Sequence, residues 1–139
     1  CNAHRGPAGA APDWGAVDLC LTPQERALGE FLQGEVALQY GDNSRALVAF
    51  TRASALDPQE PRIHARLAQL LIRQGELEQA LPHARSAVAG NPDDEFSRTL
   101  LAGTLDGMGA TDEAAGHYRE IIRRAPYVAE PYLLLSALY

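Results

Sequence analysis

Lysine is absent: all twelve basic residues of this 139-residue chain are arginine. We read that bias as the codon habit of a GC-rich genome, so an arginine here marks no site merely by being an arginine. The net charge of −6 and pI near 5.1 leave no cationic excess for a polyanion, which excludes nucleic acid as a leading partner. No stretch approaches the ~18 consecutive apolar residues of a spanning helix, so membrane attachment would need another device. Cysteine is scarce. Cys1 and Cys20 form no CxxC, and no histidine stands at zinc-ligand spacing, so neither a metal site nor a cofactor is expected. GxSxG, HExxH, P-loop and GxGxxG motifs are missing too, so we expect no catalytic site, no enzyme and no small-molecule substrate. The acidic clusters Glu76/Glu78 and Asp93/Asp94/Glu95 fall at helix starts, where the helix dipole favours negative charge.

What the chain has is a period. QYGDNSRALVAFTRASALDP at 39–58, RQGELEQALPHARSAVAGNP at 73–92 and GMGATDEAAGHYREIIRRAP at 107–126 share a glycine, an alanine five residues on and a proline twelve further. Gly41, Gly75 and Gly109 are 34 apart, as are Ala46, Ala80 and Ala114, and Pro58, Pro92 and Pro126. Apolar residues recur at helical spacing on both sides of each glycine: Leu67, Ala68, Leu71 and Ile72 before Gly75, then Leu77, Ala80, Leu81, Ala84, Ala87 and Val88 after it. Each unit is therefore predicted to be a helical hairpin. The glycine supplies the left-handed turn, and the proline biases Asp57, Asn91 or Ala125 out of the α region. Thr22-Pro23-Gln24-Glu25 reads as a capping box opening the first helix.

The spacing predicts helices near 23–40, 43–56, 60–74, 77–89, 94–108 and 112–124 and a last one from 129. Pro82 falls inside the second helix of the middle unit, at an expected cost of about 3 kcal/mol unless that helix starts late or kinks. We expect that hairpin to be irregular.

This pattern closely resembles the tetratricopeptide repeat. The resemblance implies an all-α, right-handed solenoid over 22–139, with repeats at about 27–60, 61–94 and 95–128 and a partial fourth at 129–139. Gly34, Ala68 and Ala102 match the family's small residue in the first helix, Ala46, Ala80 and Ala114 its small residue in the second, and Phe50 and Tyr118 its large aromatic. Gln33 and Ala84 depart from it, standing where leucine and an aromatic belong. A solenoid needs polar outer sides on its terminal helices. The last helix instead carries Tyr132, Leu133, Leu134, Leu135, Ala137, Leu138 and Tyr139. It is expected to be covered by a further helix in a longer protein, or to be a docking surface.

The resemblance also implies a function: capture of a partner peptide or helix in the concave groove lined by the first helices. Arg62, Arg66 and Arg73, with Gln69 among them, are spaced for one face of a single helix and are expected to line that groove. There they would offer bidentate contacts to carboxylates. Alternatively they pair with Glu35 and Asp106 on the flanking first helices. Phe31 and Glu35 stand where the carboxylate clamp of chaperone-binding members begins, so a chaperone's terminal carboxylate is not the expected ligand. His83 and His117, 34 apart, are too widely separated on neighbouring helices to share a zinc and are read as half-exposed structural residues.

Ahead of the repeats, residues 1–21 read as a flexible tether. A chain that begins Cys1-Asn2 and runs on through small residues resembles a bacterial lipoprotein. That would make Cys1 the lipidation site and place the protein on the periplasmic side of the outer membrane. Two other readings are an arbitrary boundary and a Cys1–Cys20 disulfide, the latter excluding lipidation. The expectation is a lipid-anchored adaptor of an assembly, secretion or polymer-export system. The alternative is a regulatory or substrate-recruiting domain of a larger enzyme lying beyond the C-terminal end.

Overall fold

The computed structural model describes residues 20–139. Cys1, its lipidation or disulfide pairing, and nearly all of the tether at 1–21 lie outside the described residues.

Thr22 opens the first helix by exchange of hydrogen bonds with Glu25. The Glu25 amide donates to the Thr22 hydroxyl (3.2 Å), and the Thr22 amide donates to the Glu25 carboxylate (2.7 Å). Both bonds hold the Glu25 carboxyl below its ordinary range, the backbone one most. From there α1 runs Pro23–Gln39, α2 Asn43–Leu56, α3 Pro61–Gln74, α4 Leu77–Gly90, α5 Glu95–Gly107, α6 Thr111–Arg124 and α7 Glu130–Ala137. Among the described residues there is no strand.

The repeated glycines and prolines act as their chemistry dictates. Gly41, Gly75 and Gly109 have φ of +73°, +81° and +80°. The residue after each returns its N–H to a carbonyl five positions back: Asp42 to Ala37 (2.9 Å), Glu76 to Leu71 (2.9 Å) and Ala110 to Leu105 (2.8 Å). This is the left-handed helix cap, and it turns each hairpin. Before the prolines, Asp57, Asn91 and Ala125 leave the helix with φ between −140° and −131°.

Small residues set how closely the paired helices approach. Ala46, Ala68, Ala80, Ala102 and Ala114 are fully buried, and a Cβ on Gly34 would stand 2.5 Å from the ring of Phe50. The core forms as two successive clusters. One holds Ala27, Phe50, Ile63, Leu67 and Leu70; the next holds Ala68, Leu101, Leu105, Tyr118 and Ile121. Helix α3 contributes to both, so each unit is buried by its neighbours along the stack, as in a solenoid.

One expectation changes. The middle hairpin is regular: α4 begins at Leu77 and spans 14 residues across Pro82, the same length as α2 and α6. Pro82 and Glu78 are both exposed, so the carbonyl that lacks its donor at Pro82 is open to water. The last helix is apolar all round in sequence but divided in space. Leu134, Leu135 and Leu138 pack on the second cluster, while Leu133 and Tyr139 are 69% and 79% exposed.

Candidate peptide groove

Helices α1, α3 and α5, the first of each hairpin, place side chains around one pocket. Its volume is ≈ 420 Å³, and Phe31, Arg62, Ala65, Arg66, Asn91, Asp94 and Phe96 line it. Two guanidiniums lie over its aromatic walls: Arg62 is 5.6 Å from the centre of the Phe31 ring and Arg66 is 5.8 Å from that of Phe96.

The two arginines differ in how they are held. Arg62 Nε donates to Glu60 at 2.8 Å, a neighbour two residues away, and its side chain is largely exposed. That contact lowers the Glu60 carboxyl from its ordinary range and raises the guanidinium. Arg66 is gripped across helices. Its Nε and one terminal nitrogen donate to the two oxygens of Glu35 on α1 at 2.6 and 3.0 Å, and the other donates to Gln69 at 3.1 Å. At the far wall, the Asp94 carboxylate caps α5 by accepting from the Ser97 amide at 2.9 Å and from its hydroxyl.

Of the residues expected here, Phe31, Arg62 and Arg66 meet in the pocket, and Glu35 and Gln69 support it by fixing Arg66. Arg73 and Asp106 do not join them. Both are exposed, and no ion pair forms between them or to either among the described residues. Pairing with the flanking helices is therefore real for Glu35 and absent for Asp106. Phe96, 43% exposed, escaped the sequence reading. The signal was an aromatic 34 residues after Arg62, at a position that holds Leu28 in the unit before and Glu130 in the one after. His83 and His117 do not face each other; each meets the residue 19 positions earlier, His64 or Arg98. A larger open cleft of ≈ 830 Å³ lies between α1 and α2, lined by Leu32, Val36, Tyr40, Val48 and Arg52.

A family model described as tetratricopeptide repeat matches residues 37–103. The chain is similar to the first TPR of Spaghetti (RPAP3) bound to HSP90 peptide SRMEEVD, at 19% identity and a TM-score of 0.78, over 84% of this chain and 93% of that one. It is similar to the Arabidopsis OM64 TPR domain, at 15% identity and 0.77, over 84% and 96%. It is similar as well to YrrB, a TPR protein with an unusual peptide-binding site, at 21% identity and 0.77, over 81% and 58%. A comparison with curated protein sequences gives no match.

Proposed function

We propose that this chain, whose helical hairpins share the tetratricopeptide-repeat fold, is a protein-interaction scaffold whose groove along α1, α3 and α5 holds an extended partner segment. The observation that carries this reading is the convergence of Phe31, Arg62, Arg66 and Phe96 from three helices on one concave pocket. A few convergent polar groups among apolar walls are what a binding site needs. The likeness to a repeat domain bound to the peptide SRMEEVD supports it.

The chemistry of the walls selects the partner. The Phe31 and Phe96 rings offer apolar contact to a partner side chain in the pocket, and a carboxylate beside it meets Arg62. Arg62 is the cation best placed for this, because it is exposed and committed only to a local neighbour. Arg66 already has both N–H directions of its fork filled by Glu35. Selection from a random peptide library tests the reading. Enriched peptides should pair an aromatic or large aliphatic residue with Asp or Glu, and Arg62→Glu or Phe96→Ala should weaken them at least about tenfold, roughly 1.4 kcal/mol. Arg45→Glu, outside the groove, should not. Selected peptides that bind all variants equally would remove the groove from consideration.

A further inference from the structure

Each turn between hairpins is closed by a side chain six residues beyond its proline. His64 Nε2 lies 2.7 Å from the Pro58 carbonyl, an Arg98 terminal nitrogen donates to the Pro92 carbonyl at 2.8 Å, and the Tyr132 hydroxyl donates to the Pro126 carbonyl at 3.3 Å. The three positions are 34 apart. One task is thus done by a titratable imidazole, a permanent cation and a neutral hydroxyl. Glu30, at the matching place in α1, has no proline turn to close, and its Oε2 is buried without a partner.

In the two full turns the same side chain also reaches a histidine 19 residues on. Arg98 contacts His117 Nδ1 at 3.4 Å, and His64 Nδ1 contacts His83 Nδ1 at 3.0 Å. The ring centres of His64 and His83 are 5.3 Å apart, hardly more than that contact plus the reach of the two rings. The nitrogens therefore meet head on. A zinc ion midway between them would sit well inside the ~2.0–2.1 Å Zn–N bond length. A proton fits.

The hydrogen-bond roles then follow. A carbonyl only accepts, so His64 Nε2 carries hydrogen, and neutral His64 presents a lone pair at Nδ1. The 3.0 Å contact holds one hydrogen. In the neutral pair it belongs to His83. The lone pair left free in the neutral pair is His83 Nε2. A proton enters there and the shared hydrogen passes from His83 Nδ1 to His64 Nδ1, so that His64 becomes an imidazolium donating to Pro58 and to His83, which is bond for bond what Arg98 does with Pro92 and His117. Two protons would set two N–H groups against each other.

We propose that His64 and His83 form a one-proton site that converts the turn between the first and second repeats into the cationic clamp fixed permanently by Arg98 in the next turn. Other charged groups of the elements packed about the pair are engaged elsewhere, apart from Arg52 on α2, Arg73 on α3 and Glu78 on α4, which are exposed and in no ion pair among the described residues. In the α2–α3 connection, Asp57 accepts from the Gln59 amide and Glu60 holds Arg62; on α3, Arg66 holds Glu35. Glu76, just before α4, accepts from Gln79, and Arg85 of α4 pairs with Glu113 of α6, while Arg98 of α5 serves its own turn. Burial, then the charge of His64, lowers the His83 pKa, so the second proton is resisted.

Nuclear magnetic resonance of the ¹⁵N-labelled chain tests this directly. The wild type should show a coupling through the hydrogen bond between the two Nδ1 atoms. The pair should take up its protons in two steps at least about one pH unit apart, as interacting sites do. His64→Arg, which installs the side chain already working at position 98, should leave a single step at His83, resembling that of His117. Two rings that titrate independently in the wild type, with the His64 curve unmoved by His83→Gln, would overturn the site.

Discussion

Arg66 grips Glu35 with two hydrogen bonds, at 2.6 and 3.0 Å, across 31 residues of sequence, and ties α3 to α1 at the floor of the groove. Both side chains are about one-third exposed, at 32% and 30%, so water screens the pair and its net coupling should be about 0.5–1 kcal/mol. A double-mutant cycle of Arg66→Ala and Glu35→Ala, followed by urea unfolding, measures it. The same cycle bears on function. Glu35→Ala releases the Arg66 fork, so an acidic segment bound in the groove should be held more tightly by that variant and less tightly by Arg66→Ala. Equal losses in both variants would mean that the pair only braces the helices.

Two glycines of α1 form a matched comparison. A Cβ at Gly34 would stand 2.5 Å from the fully buried ring of Phe50, whereas at Gly29 it would meet nothing within 4 Å. Gly34→Ala should lower stability by about 1–3 kcal/mol through overpacking. Gly29→Ala should raise it by about 0.5–1 kcal/mol, because glycine wastes backbone entropy within a helix. Thermal melts of the two single variants moving in the same direction would contradict this packing.

That contrast shows what the sequence could reveal. The 34-residue period made the turns at Gly41, Gly75 and Gly109 and the stops at Pro58, Pro92 and Pro126 legible, because each depends on backbone preferences that one residue type satisfies. Spacing within one helix put Arg62, Arg66 and Arg73 on a common face, and the family resemblance, not the period, implied that this face lines the groove. Direction and partner were another matter. That Arg66 reaches Glu35 while Arg73 reaches no carboxylate, or that His83 meets His64 instead of His117, depends on rotamers and the approach of neighbouring helices. A period establishes that positions are equivalent; it does not say which way their side chains turn. Phe96 was hidden for the opposite reason: its position varies from unit to unit, as Leu28, Arg62, Phe96 and Glu130, and an alignment by period emphasises likeness.

Pro82 offers a gain in stability. It is exposed within an α4 that continues past it on both sides, so its ring supplies no core packing, and it leaves one helix hydrogen bond unmade. A mid-helix proline costs about 3 kcal/mol relative to alanine, less near the first turns. Pro82→Ala should stabilise the chain by about 1–3 kcal/mol in urea unfolding. No gain would mean that α4 does not run through this position in solution.

Acid should weaken the fold from the histidine range downward. Burial is the first cause lowering both His83 and His117, aided by His64 for the former and mainly by Arg98 for the latter. A base whose pKa is lower folded than unfolded binds fewer protons in the native state, so stability rises with pH across the interval between the two values. For these histidines the interval opens at the ordinary value of about 6.5 and extends downward, and their contribution is complete above it. The carboxylates act lower still. Glu120, hydrogen-bonded first by Arg123 and then by Arg124, is held at about 2, so its share is present above the ordinary carboxylate range and is lost as pH falls toward that value. Melting temperatures at pH 7.5 and pH 5.5 should therefore differ, with the lower pH less stable, well before the carboxylates titrate. His83→Gln/His117→Gln should flatten that difference while leaving the steeper loss below pH 4 in place. A double variant as pH-sensitive as the wild type between 7.5 and 5.5 would show that neither ring is kept from its proton by the fold.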